Sequence, residues 1–425
     1  MANEFSKEER VAFEDILQGF QDALVLSRNV TTYATEQTMM ERARNTIWRP
    51  MPYISQSIDS VPGVAIPGYQ SITQLAVPST LGFSKTVPFT MTTLELRDAL
   101  QENRFGQSAR QKLASDINIA IMNVAASQGT LVVKVAGAAG KYDDVALCDS
   151  IMNEQGVMTE DRSLALSSRD YNGMAGNLAT ATRSFTGGKS ANAYERSFVG
   201  MVAGFDTFKL DYANRIAAAG GGTSKTIATN GSQVDFIPRA TTNSVGGQIN
   251  VDNRYQTVTV SATAGIVAGD AFTIAGVQAV HHITKQSTGQ LKTFRVLSVT
   301  NGTTLVISPP MIGATTASPT DAELQYKNVE VVTESASAAI VFLNVNATAI
   351  NVFWQRDALE ILPGRYAVPT DAGTAVMRAS TDQGIELVMQ KQYDIDSMTI
   401  KYRLDTLFGV VNKQPEMSGI LLFNQ

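Results

Sequence analysis

The chain has 425 residues, 44% of them hydrophobic and 17% charged, with a formal net charge of −5. That length fills two or three domains, and the balance excludes disordered and fibrous classes. A mildly acidic chain lacks the basic face with which a sequence-specific nucleic-acid binder meets phosphate, leaving only weak contact through a local basic patch.

Ser6 to Arg28 reads as an amphipathic helix: Phe13, Ile16, Leu17, Phe20 and Leu24 share one face, and Lys7, Glu8, Glu14, Asp15 and Asp22 lie mostly elsewhere. Such a terminal helix packs on its own domain or reaches to a neighbouring subunit. Arg49 to Thr93 carries prolines at 50, 52, 62, 67, 78 and 88, which forbid a long helix. Between them stand short β-like pieces, Val64–Ile66, Ile72–Val77 and Lys85–Thr90. A segment of that length with little core of its own is expected to be a functional loop or a binding arm. From Leu94 (LELRDALQENRF) the chain turns helical and runs into a spine helix predicted over Ser108–Gly129. Ser108 with Gln111 makes a capping-box start, Gly129 suits a left-handed stop, and Leu113, Ile117, Ile121 and Val124 line one face.

A strand follows at Thr130–Val135, then a helix at Val145–Gly156, a weaker one at Ser168–Thr182 and a short strand at Val199–Phe205. At Ala217 the composition shifts. AAAGGGTS, Ala217–Ser224, is a linker, and from there to about Ser337 the signals are β. Tyr255–Val260, Phe272–Ile274, Phe294–Val299 and Leu305–Ile307 are short strands, with hairpin-type turns at Gly269-Asp270 and Asn301-Gly302. This predicts a small sandwich or barrel inserted in a larger domain, its two ends close together. Ala338–Val345, Ile350–Trp354 and Ala358–Leu362 resume the host, and Thr399–Val411 and Ile420–Phe423 are the last strands.

The chemistry-bearing residues are few. The single Cys148 excludes an intrachain disulfide and reads as a buried, inert thiol. His281 and His282, the two histidines, do not make up a Cys/His zinc set; in a strand they would point to opposite faces. Phe185–Ser190 (FTGGKS) has Arg183 where a phosphate loop needs its first glycine, so it reads as a surface loop. Asp394 and Asp396 fall on one face of a strand-like segment and read as a solvated or salt-bridged pair sooner than a cation site. Arg42, Arg44 and Arg49 form a basic cluster suited to carboxylate partners. The N-terminus lacks a signal pattern, and apolar runs such as Ala338–Leu343 are too short for a bilayer, so a soluble protein of a cytoplasm-like compartment is expected.

Val251–Gln278 (VDNRYQTVTVSATAGIVAGDAFTIAGVQ) closely resembles the inserted β domain of lederbergvirus-type coat proteins, the major capsid proteins of short-tailed Salmonella phages. Asn45–Trp48 with Pro50, Val202–Asp206 (VAGFD), Asn351–Trp354 (NVFW) and the S-A-R-x-K-L-A of Ser108–Ala114 are similar to the same family in order and rough position. The resemblance implies an α+β chain with the major capsid protein fold of tailed phages and herpesviruses and an inserted all-β barrel domain. It implies an N-terminal arm helix (1–35), an extended β-hairpin loop (36–93) and a peripheral domain with the spine helix (94–136). An axial domain (137–218), the inserted barrel (219–337) and a return through axial and peripheral domains (338–425) complete the expectation.

The implied function is that of a coat protein, not an enzyme and without a cofactor, which forms the hexamers and pentamers of an icosahedral head around double-stranded DNA. Its implied partners are its own copies, a scaffolding protein, a portal protein and DNA held weakly, with no membrane. It would reside in the virion shell, and in the host cytoplasm during assembly. Candidate inter-subunit contacts are Phe13, Leu17, Phe20, Tyr53, Ile66, Tyr69, Leu75, Arg239 and Asn243; Gly269 and Gly302 are candidate turn glycines of the insert. Family members carry acids in an insert loop that meets a twofold neighbour, whereas Arg239–Asn250 (RATTNSVGGQIN) has none. The rival readings are a cytoplasmic enzyme with an accessory β domain and a β-rich tail or adhesin protein.

Overall fold

The computed structural model describes residues 5, 7–33, 46–51, 55, 62, 69, 71–92, 94–95, 99–180, 187–228, 233–333, 335, 337–367 and 375–425. Helix α1 (Lys7–Ala23) precedes a 3-10 turn (Leu26–Asn29) and β1 (Thr31–Thr32). Strands β2 (Thr46–Pro50) and β3 (Ala76–Thr80) flank the proline-rich segment, and β4 (Phe83–Thr92) leads to α2 (Ala99–Gln128). Next come β5 (Leu131–Lys134), α3 (Tyr142–Glu154), β6 (Arg162–Ser167), α4 (Ser168–Thr180), α5 (Gly187–Arg196), β7 (Met201–Val202), β8 (Phe205–Leu210) and β9 (Arg215–Ile216). A β-rich stretch follows: β10 (Thr226–Ala228), β11 (Thr241–Ser244), β12 (Gly247–Asn250), β13 (Gln256–Thr259), β14 (Ala271–Val280), β15 (Ser287–Asn301) and β16 (Thr304–Ser308). A short helix α6 (Asp321–Tyr326), β17 (Val329–Val331) and β18 (Ser337–Phe342) close that stretch. The last elements are β19 (Thr348–Ala349), β20 (Asn351–Gln355), β21 (Leu359–Pro363), β22 (Ala375–Ser380), β23 (Glu386–Asp394), β24 (Thr399–Asn412) and β25 (Ser418–Leu422). The chain is a mixed α/β protein with few helices and many strands.

Two compact units share these elements. The first comprises 1–47, 78–123 and 359–411, and the second 48–77, 124–358 and 412–425. The first unit holds the sheet β1-β21-β24-β23-β22, with β4 paired antiparallel along β24. Helix α1 belongs to this unit. Phe13, Ile16, Phe20 and Leu24 are buried there, and Glu9 is ion-paired with Lys391 and accepts from the Tyr402 hydroxyl at 3.1 Å. The expected helix over 6–28 ends at Ala23, and a 3-10 turn takes the rest.

The spine is one helix of 30 residues, not a helix starting at Ser108. Ser108 is no cap because nothing in 99–107 breaks the helix. The one glycine there, Gly106, lies where a Cβ would come within 2.4 Å of Ile16 Cδ1. Gly129 follows the last helical residue, but without a positive φ. It is required by close approach: a Cβ would meet Ala125 O at 2.8 Å and Gly419 N at 3.1 Å.

In the second unit the mixed sheet runs β5-β25-β20-β6-β8-β7. Beneath it lies a core that includes Leu164, Leu166, Phe205, Phe353, Leu421 and Phe423, with Cys148 fully buried in it. Burial pushes the Cys148 thiol pKa far up, and Asp144 and Asp149 add to the shift, so the thiol stays protonated. The strand expected over 199–205 divides at a turn (Ala203-Gly204) into β7 and β8, which pair antiparallel.

The β-rich stretch forms the sheet β10-β18-β14-β15-β16-β13, with β17 also on β14. A bridge between Ile227 and Val260 joins its two end strands, so the sheet curls on itself. Its interior carries Phe272, Ile274, Phe294, Val296, Ile307, Ile340 and Phe342, a core separate from that of the mixed sheet. The expected boundary at 337 falls on the first residue of β18, which pairs with both β10 and β14. The chain running in and the chain running out meet at Asn344. Its backbone O accepts from Ala219 N at 2.8 Å, its Nδ2 donates to Ala217 O at 3.0 Å and to Asp270 Oδ1 at 2.9 Å, and its Oδ1 accepts from Ala271 N at 3.1 Å.

Candidate functional site

Two cations of β15 are buried, against the usual rule for strands. Lys292 is 2% exposed; its ammonium pairs with Glu416 and donates to Gln155 Oε1 at 2.8 Å. Glu416 also faces His282 Nε2 at 3.3 Å and accepts from Asn328 Nδ2 at 3.1 Å. Burial pushes the Glu416 carboxyl up, but Lys292 and then His282, by charge and hydrogen bond, overcome this and hold it well below the usual carboxylate range. Neighbouring Lys285 donates to Lys327 O at 3.2 Å. Burial lowers its ammonium to about 8, against the pull of Glu416 and with the repulsion of Lys327 and Lys292.

The second cation, Arg295, is 1% exposed and reaches the end of the spine helix: one guanidinium nitrogen donates to Ala126 O at 3.0 Å and another to Gly129 O at 3.5 Å. A guanidinium there satisfies carbonyls that a helix end leaves free and complements its partial negative charge. Thr293 Oγ1 donates to Thr130 O at 2.7 Å beside it. So β15 fastens the curled sheet to the start of β5 and the β25 turn through one ion pair, one helix cap and one hydroxyl. Arg254 adds a further tie, donating to Asn412 O at 2.7 Å and pairing with Asp252 at 2.7 Å. A cavity of about 40 Å³ lies between His282, Asn328, Glu416, Leu75 and Tyr326, room for water only.

The expected site residues fare unequally. Phe13 and Phe20 are 5% and 0% exposed and Leu17 is half-buried, so the first two are used by the subunit's own first unit and offer no surface to a neighbour. Leu75 is likewise buried, packed with Ile312 and Tyr326 of its own chain. Tyr69 is exposed. Tyr53 and Ile66 lie outside the described residues, as do Arg42, Arg44 and the strand expected at 64–66. Arg239 and Asn243 are exposed; the loop 239–250 is the hairpin β11–β12, exposed along both strands. Gly269 has φ +98, a turn conformation that a β-carbon would strain. Gly302 does not: its φ is not left-handed, and a Cβ would meet open space.

The histidines are not strand residues. They follow β14 in the turn to β15, where His281 Nδ1 accepts from Ile283 N and Thr284 N, both at 3.2 Å. Asp396 lies in the turn after β23, so it shares no strand face with Asp394. Asp394 accepts from Lys401 at 2.9 Å, as a salt-bridged group. FTGGKS divides between residues outside the description and the start of α5. Lys292, Arg295, Glu416 and Asn344 are the site residues least visible in the sequence. Two cations inside the strand run LKTFRVL were the available signal for the first two; a lone carboxylate and a lone amide in loops carry none.

Among exposed large apolar side chains, Tyr194, Phe198, Met201 and Tyr212 fall in one stretch of chain, and Ile395 and Met398 at the β23–β24 turn. Exposed apolar groups that recur this closely are candidate contact surfaces. No helix among the described residues is long and apolar enough to cross a membrane.

A family model described as P22 coat protein, gene protein 5, matches residues 1–424. Among solved structures, a chain of Mycobacterium phage Che8 is similar at 10% identity over 94% of this chain and 91% of that one, with a TM-score of 0.44. A chain from the bacteriophage PhiM1 mature capsid is 11% identical over 93% and 86%, also with a TM-score of 0.44. The CUS-3 coat protein I-domain is 40% identical over 29% of this chain and 99% of its own length, with a TM-score of 0.22.

Proposed function

Because the chain belongs to the P22 coat protein family, we propose that it is the major capsid protein of a phage head, building hexamers and pentamers of an icosahedral shell around double-stranded DNA. The observation that carries the reading is the family match along residues 1–424. Its mechanism is association, not turnover. Heterologous contacts close into rings, and closure makes many weak contacts cooperative. Within residues 49–93, the stretch between β2 and β3 serves as the arm laid on a neighbour, since β4 pairs along β24 of the same chain, and the curled β10–β18 sheet serves as the inserted domain. Scaffolding protein, portal and DNA are the further partners, and assembly runs in the host cytoplasm. A net charge of −5 suits a container that holds DNA without tight phosphate contacts.

The rival enzyme reading requires polar groups converging on an open pocket. Here the titratable cluster of Lys292, Glu416 and His282 is engaged in fastening strands together. Electron microscopy of the purified, concentrated protein tests the proposal. Closed shells of uniform size are the expected result; a protein that stays monomeric at every concentration, with or without a co-expressed scaffold, rules it out.

A further inference from the structure

The returning limb of the arm, residues 71–75, runs along α6. Ser71 N donates to Asp321 Oδ2 at 2.8 Å, Thr73 N donates to Gln325 Oε1 at 3.0 Å, and the Tyr326 hydroxyl donates to Thr73 O at 2.8 Å. Leu75, 3% exposed, packs on Tyr326 and Ile312. The spacing fits: two residues of extended chain and one turn of helix both advance roughly 6 Å. All three bonds go to the main chain, so they fix its path whatever side chains it carries.

We infer that α6 is the positioning element of the arm, with Asp321, Gln325 and Tyr326 as positioning residues for assembly; this rests on reading the stretch between β2 and β3 as an arm that docks on a neighbour. The helix is suited to that task. Thr320 and Glu323 close a capping box at its start, and Glu323 and Gln325 are 1% and 4% exposed. The hold extends to the outgoing limb, since Met51 N donates to Leu75 O and Gln74 Nε2 to Met51 O, both at 2.9 Å. Tyr69, just before the held limb, is 94% exposed, and Ile72, within it, is 61% exposed. A free arm loses the entropy of its path at the moment of docking. An arm held at its root has already lost part of that entropy on folding.

The test compares the full-length parent with D321A/Q325A/Y326F and with D321N/Q325E, which keeps both acceptors. In the monomer, hydrogen exchange at the amides of Ser71 and Thr73 should quicken about fivefold for each bond lost in the triple variant. Exchange in α2 should stay as in the parent. Assembly followed by light scattering and microscopy should slow and yield open or irregular particles, while D321N/Q325E matches the parent. Normal shells at normal rate in the triple variant, or unchanged exchange at 71 and 73, would overturn the inference. A variant lacking residues 53–68 separates the two levels. If it also closes shells, the arm reading itself fails; if it does not close them while the triple variant does, only the role of α6 fails. Should the triple variant not fold, Y326F removes a single oxygen, keeps the ring on Leu75, and carries the same prediction at smaller amplitude.

Discussion

Glu416 would resist ionising in its buried place if Lys292 were not beside it. Removing one partner of such a pair strands the other charge, at a cost of about 3–5 kcal/mol, whereas replacing both by apolar groups is often close to neutral. Lys292→Met should therefore destabilise the monomer by about that amount in urea unfolding, and K292M/E416L should recover most of it. Additive losses would mean that the two side chains do not act as a pair. Lys285 works in the opposite sense. Its folded value of about 8 lies below the roughly 10.4 of an unfolded lysine. Between those values the unfolded chain binds the extra proton, so stability rises with pH across that window; below about pH 8 both states are charged and the folded one carries the burial cost. Lys285→Met should raise the melting temperature at pH 7 and flatten the parent's rise from pH 8 to 10. A parallel rise in the variant would assign the effect to other groups.

Among the elements, the curled sheet bears most directly on the domain proposal. Its core residues all fall between Ile227 and Phe342, which argues for independent folding. Its boundary, however, is set by β18, whose Ala338, Ile340 and Phe342 sit in that core. A fragment of 219–345 should show a cooperative thermal transition by circular dichroism, and a fragment of 222–336 should not. If both fragments melt without cooperativity, the sheet depends on the rest of the second unit. Periodicity displayed much of this: the alternation of β13 and β16, the apolar face of α1 and the joining of the spine to β5 were legible. Two kinds of feature were not. The helical character ahead of Ser108 was legible from Leu94 onward, but the capping-box start at Ser108 was misleading, because such a pattern is only a local offer, overruled where the preceding residues are also helical. The strand β6 (RSLALS), buried at every position, has no polar-apolar alternation to announce it, and α5 is built on glycines and small residues that read as loop. In the candidate site, the stretch 239–250 was expected only as a loop, from the family resemblance, and its pairing as the hairpin β11–β12 was not read from the residues. The Lys292–Glu416 pair was not legible either, since it joins residues more than a hundred positions apart.

At the level of the whole subunit, the arm should matter to assembly more than to folding. Tyr53, Ile54, Ile58, Val64 and Ile66 stand among prolines in a stretch too broken to build a core. Each such side chain is worth roughly 1.5–3 kcal/mol when fully buried, and a neighbour's surface is where burial is proposed. The root is different, since Leu75 and the 71–73 main chain are already held by their own subunit. Deleting 53–68 and bridging the gap with a short Gly-Ser turn should thus leave a soluble monomer that melts like the parent but forms no closed shells. Aggregation of the variant as an unfolded chain would place the arm within the fold, and normal shells would remove it from assembly.

The meeting of both connections at Asn344 bears on how such a chain can change over generations. Ends held within one side chain's reach can be joined by a foreign segment of almost any length, because the entropy of closing a loop grows only slowly with its size. By geometry alone the piece between Ala219 and Asn344 is an exchangeable cassette. Electrostatics sets a stricter condition. Any newcomer has to present one cation to Glu416 and another to the carbonyls of Ala126 and Gly129, or leave a buried carboxylate and a helix end without partners. Recombination at this locus should therefore be filtered less by the length or fold of what arrives than by whether it brings a lysine and an arginine to those two places.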